Sequence, residues 1–136
     1  GSRPVIVVDT HVWIWWVHQD DHLTPQIKDF ITQHEAGRIG VSAISCWEVA
    51  KLVERGRLRL PMAVDQWLYA ALAYPGMTLL PLTPEIAADA CCLPGTFHSD
   101  PADQIIVATA RAHASELVTM DRRILAYPHV NVTRLA

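Results

Sequence analysis

The segment PVIVVD, residues 4–9, narrows the possible folds more than any other stretch. Its run of β-branched residues lacks the polar alternation of a half-exposed strand, so it predicts a strand buried on both faces, as in a parallel sheet covered by helices. RIGVS (38–42), MTLLPL (77–82), ELVT (116–119) and VNVTRL (130–135) predict further strands. Between them lie helical signals. THVWIWWVH (10–18) follows the first strand, and LTPQIKDFITQHEAG (23–37) has Thr24 as N-cap, Pro25 at the first helical position and Gly37 at its end. SAISCWEVAKLVERG (42–56) places Ile44, Trp47, Leu52 and Val53 at helical spacing before a terminal glycine. Helices are also expected over 64–74 and 84–93, over DPADQIIVATARAHA (100–114), and as a single turn at DRRIL (121–125). Strand and helix alternate throughout, which predicts an α/β fold with a mostly parallel sheet flanked by helices.

At 136 residues and 51% hydrophobic content, residues 1–136 fit one domain with one sizeable core. Gly1 and Ser2 are expected to be left over from an expression tag. Charges, prolines and glycines interrupt every apolar run well short of the ~20 residues that span a bilayer, so a soluble protein with no membrane partner is expected. Cys46, Cys91 and Cys92 are odd in number and show no CxxC or zinc spacing, which suits a reducing cytoplasmic setting. A net charge of −3 argues against coating nucleic acid by bulk electrostatics; any such contact must be local.

The chemistry lies in the carboxylates. Asp9 and Asp121 follow apolar strands, where the carboxyl ends of a parallel sheet form a ligand crevice, although each would also cap the next helix. Asp103 shares a helical face with Ile106, Val107 and Ala110. Glu48 lies in the row Ile44, Glu48, Leu52, in the middle of an apolar stripe. A capping box with Ser45 would explain Glu48 if the helix began there, but Ser42 is an equally good start. Asp100 and Asp103 would also suit a helix N-terminus. Four acids at one sheet rim repel one another and raise one another's pKa unless a cation neutralises them. An oxygen-only site suits Mg²⁺ or Mn²⁺, and phosphodiester hydrolysis is the natural chemistry of such an ion.

In this order and context the acids resemble those of the PIN-domain nucleases, most closely the VapC-type ribonuclease toxins of toxin–antitoxin pairs. VVDTHVWIWWV, SAISCWEVAKLVERGRLRL, LPLTPEIAADACCLPGTFHSDPADQIIVATARA and LVTMDRRI carry the likeness over almost the whole chain. The resemblance implies a three-layer α/β/α fold and a Mg²⁺- or Mn²⁺-dependent endoribonuclease, a homodimer inhibited by a VapB-like antitoxin. Asp9 falls on the family's first acid, Glu48 on the second, Asp103 on the third and Asp121 on the fourth, making these four the implied catalytic and metal-binding residues. Asp100 and Thr119 fall on supporting positions. Relatives often carry a basic residue before Asp-Pro and an Arg after the third acid, where this chain has Ser99 and Gln104. RNA phosphates would then fall to Lys51, Arg55, Arg57 and Arg59, or to Arg122 and Arg123. Lys51 and Arg55 also read as a solvated helix face.

Other features point to no second chemistry. Trp13 and Trp16 can share a helix face, so Trp15 must point elsewhere, under a neighbouring helix or into a groove for an antitoxin or second subunit. The seven histidines are scattered, and His11 is expected to be oriented by packing beside Asp9. DTHVW resembles the opening of metal-dependent amidohydrolases, but the second metal-binding His is Trp13 and the chain is far short of the ~250 residues of such a barrel. A HAD-like phosphatase would need an aspartate at residue 11, which is His. The remaining rival is a PIN-like module without activity that binds RNA or protein.

Overall fold

The computed structural model describes residues 6–135. Its sheet has four parallel strands, β1 (Ile6–Val8), β2 (Ile39–Ser42), β3 (Met77–Leu80) and β4 (Leu117–Val118), in the order β3-β2-β1-β4. Seven helices accompany them among the described residues: α1 (Thr10–His18), α2 (Pro25–Thr32), α3 (Ala43–Glu54), α4 (Val64–Leu72), α5 (Pro84–Ala90), α6 (Pro101–Ala112) and α7 (Arg122–Leu125). Pro4 and Val5 of the first expected strand lie outside the described residues.

Side chains alternate across the sheet, and each face seals its own core. Ile6, Val8, Ile39, Val41 and Val118 join Trp13, Trp16, Val49 and Trp67 on one side. Val7 and Leu117 join Ile106, Val107, Ala110 and Ile124 on the other. Helices therefore cover both faces, giving the α/β/α layering, and strands buried twice over need no polar alternation. Trp13 and Trp16 are both buried, as their spacing requires. The Trp13 indole packs edge-on against Trp67, with ring centroids 5.2 Å apart, and Trp67 donates its N–H to His18 Nε2 at 2.9 Å.

Several boundaries differ from expectation for local reasons. α2 ends at Thr32 and continues as turns, because the chain must turn to enter β2. Beside that turn Gly76 has φ +79°, and a Cβ there would stand 2.6 Å from the Glu35 carbonyl oxygen, so this entry to β3 requires glycine. The expected strand over 130–135 shrinks to one bridge, Val132 with Leu117, closed by Leu117 N–H to Asn131 O (2.7 Å) and Thr133 N–H to Leu117 O (3.0 Å). β4 offers no more edge, since the chain turns into the cap of α7 immediately after Val118. Val130 and Val132 are apolar because they pack on the α6 side of the core.

The strand order puts a topological switch at β1: the chain passes from β1 to β2 and β3 on one side, then returns to place β4 on the other. In open parallel sheets the crevice beyond the strand ends at such a point is the ligand site.

Candidate active site

At that switch Asp9 is tied to β4, its N–H donating to the Val118 carbonyl at 3.1 Å. Asp9 is the N-cap of α1 and accepts the Val12 N–H on Oδ1 at 2.9 Å. Its Oδ2 accepts the hydroxyl of Thr119 across the switch. Asp121 repeats the device: Oδ1 caps α7 by accepting the N–H groups of Arg123 (2.8 Å) and Ile124 (3.3 Å). Asp100 caps α6, accepting the Asp103 N–H at 2.9 Å. Capping and site-forming roles therefore coincide: the cap engages one carboxylate oxygen and fixes the direction of the other.

Glu48 has a different origin. Ser42 caps α3, its hydroxyl accepting the Ile44 N–H at 3.2 Å, so Glu48 lies in the second turn and no capping box with Ser45 forms. Ser45 is buried instead, with its hydroxyl 2.8 Å from Thr10 Oγ1. Thr10 donates its one proton to Glu48. The inward face of α3 is made by Ser45 and Val49, whereas Trp47, expected on the apolar stripe, is exposed. This rotation brings Glu48 to the rim of the sheet.

Asp9, Glu48, Asp100, Asp103 and Asp121 line one cleft of about 440 Å³, together with Trp15 and Arg123. Thr119 braces it from behind Asp9. Of the proposed phosphate-binding residues, only Arg123 enters this cleft, with one guanidinium nitrogen 3.6 Å from both Asp103 Oδ2 and Asp121 Oδ2. Lys51, Arg55 and Arg57 line an adjoining groove. Arg122 lines a separate cavity with Arg134, and Arg59 is exposed away from all three. Trp15 is half-buried, stacked on His22 at 4.8 Å with the planes 8° apart. His11 is exposed at the cleft and tilted against Trp15.

Sequence reasoning passed over three residues. Thr10 and Ser45 form the hydroxyl support of Glu48. His98 places Nε2 2.7 Å from Asp103 Oδ2, and Gln104 anchors the loop by donating to the His98 carbonyl at 3.1 Å. Gln104 thus fixes a neighbour of the acid. The available signal was adjacency: hydroxyls next to Asp9 and one turn before Glu48, and a His five positions before Asp103.

Burial, more than mutual repulsion, disturbs these carboxyls. Desolvation pushes Asp9 up to about 6, against the opposing hydrogen bonds from Thr119 and Val12. Desolvation also raises Glu48, opposed by Thr10 and reinforced by Asp103, and raises Asp103 despite His98. At Asp121 desolvation pushes upward but is outweighed by the N–H groups of Arg123 and Ile124 and by the Arg123 side chain, which hold the carboxyl below its usual range.

The donor set is oxygen-rich and carries excess negative charge in a desolvated cleft, which suits a hard divalent ion. Among the described residues no three His, Cys, Asp or Glu side chains converge closely enough to hold an ion unaided. Mg²⁺ commonly keeps several waters and takes only one or two carboxylates directly, so these residues fit such an ion.

Three comparisons bear on this arrangement. The model of the PIN domain family matches residues 6–130. Ribonuclease VapC22 of Mycobacterium tuberculosis is 36% identical over 124 residues, covering 91% of this chain and 92% of its own. Among solved structures, VapBC2 from Rickettsia felis bound to a promoter DNA fragment superposes with a TM-score of 0.70 at 14% identity, over 95% of this chain and 97% of that one. DNA-bound VapBC from Salmonella typhimurium gives 0.69 at 17%, over 96% and 98%. With the family model matching from β1 to beyond α7 and a close relative covering nine-tenths of its length, this chain belongs to the PIN domain family.

Proposed function

We propose that this protein is an endoribonuclease, the toxin of a toxin–antitoxin pair, which hydrolyses RNA phosphodiester bonds at the carboxylate cleft with Mg²⁺ or Mn²⁺. The observation that carries the reading is the convergence of Asp9, Glu48, Asp103 and Asp121 in one cleft at the switch of a PIN fold. The 36% identity to a ribonuclease supports the reaction class. Likeness to toxin–antitoxin assemblies supports a VapB-like antitoxin as partner. A homodimer acting in the cytoplasm completes the proposal.

Asp9, Glu48, Asp103 and Asp121 would hold the ion, one or two of them directly and the others through its waters, and the ion would supply Lewis-acid stabilisation of phosphoryl charge. Glu48, with its carboxyl raised by burial and aimed by Thr10, is placed to accept a proton from the attacking water. Asp121 remains ionised and can orient that water. The water oxygen bonds to phosphorus, the bond to the 3′ oxygen breaks as that oxygen takes a proton from solvent, and the products carry a 5′-phosphate and a 3′-hydroxyl. Arg123 lies where it can meet charge on the phosphate.

The test incubates purified protein with structured RNAs in Mg²⁺, Mn²⁺ or EDTA, beside Asp9→Asn and Glu48→Gln. Cleavage should require the ion and fall at least about a hundredfold in each variant, about 2.7 kcal/mol of transition-state stabilisation. Cleavage that survives EDTA, or full activity in both variants, would overturn the mechanism. RNA binding with no cleavage under any condition would leave an inactive binding module.

A further inference from the structure

Beyond the acid cleft, a second groove of about 430 Å³ runs along α3, and the two share Glu48 and Asp100 as lining residues. Ile44, Leu52 and Pro101 give it an apolar lining. Trp47 lines it as well and is 53% exposed, although it sits in the middle of a helix whose other large apolar residues are at least half-buried. An aromatic face left open on a rigid helix, beside a cleft that handles phosphodiesters, is an unusual use of tryptophan. Its cations lie along α3 and beyond its end, and its two carboxylates, Glu48 and Asp100, lie at the junction with the acid cleft. Lys51 Nζ stands 5.8 Å from the Trp47 ring centroid, and Arg55 and Arg57 line the same groove. Neither arginine makes a salt bridge among the described residues, and the Lys51–Glu54 pair, at 2.7 Å, is on the surface and readily exchanged. The chain as a whole carries a charge of −3, so this basic strip is local.

We infer that this groove is a subsite for single-stranded RNA on one side of the scissile bond: a base stacks on Trp47, and Arg55 and Arg57 hold the phosphates of the strand leaving the acid cleft. The inference rests on the ribonuclease reading for the identity of the strand. Three observations favour RNA over a protein segment as occupant. An aromatic platform interleaved with cations is the recognition chemistry of single strands, every base offers a π-face, and the groove is continuous with the phosphodiester site. Asp100 and Glu48 lie at the junction with the cleft, so phosphate contact in the groove falls to Arg55 and Arg57 toward and beyond the C-terminal end of α3.

The experiment measures binding of a fluorescein-labelled single-stranded 12-mer RNA by anisotropy in EDTA, so that the affinity readout does not depend on cleavage. Trp47→Ala should weaken binding about tenfold and Trp47→Phe less than about threefold, in line with the range for one base–aromatic stack. The double variant Arg55→Ala/Arg57→Ala should flatten the slope of log K against log salt by about 1.4, the loss of two phosphate contacts on a single strand. Circular dichroism and sedimentation accompany each variant. Parent-like affinity and salt slope in all three variants would overturn the inference while leaving metal-dependent cleavage by the parent untouched. So would a change in subunit association in Trp47→Ala, or loss of antitoxin binding with RNA affinity unchanged, since either assigns the groove to a protein. The expected binding losses without cleavage by the parent would sustain the subsite and overturn the nuclease reading.

Discussion

The two halves of the cleft hold their acids by different means. Asp9 and Glu48 are held by neutral hydroxyls, Thr119 on one and the Thr10–Ser45 pair on the other. Asp103 and Asp121 are held by groups that carry or can acquire positive charge, His98 and Arg123. A hydroxyl directs a carboxylate without neutralising it, so the first half keeps its electrostatic demand for a cation. The second half already holds part of the charge that an ion would supply. Substitutions should therefore separate the halves by sign as well as by size.

Asp9→Asn should show the largest effect on stability. The Asp9 carboxyl titrates near 6 in the fold against 3.8 as the ordinary value. A raised carboxyl means that the native state binds more protons than the unfolded chain, so the stability present below pH 3.8 is lost as pH rises and is gone above about 6. Asparagine keeps the cap of α1 and carries no charge. In EDTA at pH 7 the variant should gain roughly 2–3 kcal/mol over the parent by urea unfolding, and the gain should shrink toward pH 4. Asp121→Asn should do the reverse. Its carboxyl is lowered, its contribution is present above the ordinary value and lost on acidification, and the variant should be slightly less stable at pH 7. Equal signs for the two variants would break the distinction between the halves.

Arg123→Gln probes the second half at smaller magnitude. The guanidinium competes with any ion for Asp103 and Asp121, but it is more than half exposed and screened by salt. Calorimetry at low salt should show Mn²⁺ binding about threefold to tenfold tighter in the variant, with the difference fading toward 0.5 M salt. KM for RNA should rise at the same time. Unchanged Mn²⁺ affinity would mean that the ion is held on the Asp9–Glu48 side alone.

β1, β2 and β4 were legible from their apolar runs because burial on both faces leaves a continuous hydrophobic signature, whereas the edge strand β3 keeps an apolar run with Leu79 exposed. Asp9 and Asp121 were legible because they end such runs, and Thr24, Asp100 and Pro101 because capping chemistry is local. What escaped depended on rotation and distance. The phase of α3 is set by packing Ser45 and Val49 inward, so spacing alone placed Trp47 on the wrong side. The hydrogen bond from Thr10 to Glu48 joins residues 38 apart in the chain, and that from Thr119 to Asp9 joins residues 110 apart. The expected repulsion is there, from Asp103 on Asp9 and Glu48 and from Asp100 and Asp121 on Asp103, but desolvation is the larger cause at Asp9, Glu48 and Asp103. How deeply a strand-end carboxylate sits depends on the helices above it, which no short motif encodes.

The smallest expected effects come from the hydroxyls, and they test the comparison most closely. Thr119→Val is nearly isosteric and removes a hydroxyl that donates to Asp9 and accepts the Asp121 N–H at 3.0 Å; with the Val12 N–H left as the remaining hydrogen bond to it, the Asp9 carboxyl should move to the alkaline side of about 6. The acid limb of Mn²⁺ affinity against pH, where the ion must displace that proton, should follow it. Thr10→Val should move Glu48 in the same direction for the same reason. The groups interact, so the measured limbs belong to the cluster and not to single residues, and the informative quantity is the displacement of each variant from the parent. Because a buried donor removed from Asp9 leaves a charged oxygen without a partner, Thr119→Val should also steepen the gain of stability on acidification. An alkaline displacement in both hydroxyl variants, accompanied by steeper acid stabilisation in Thr119→Val, is what a neutral brace requires. Profiles superimposable on the parent would mean that the hydroxyls only fill space, and that the contrast with the His98 and Arg123 side is one of packing and not of charge.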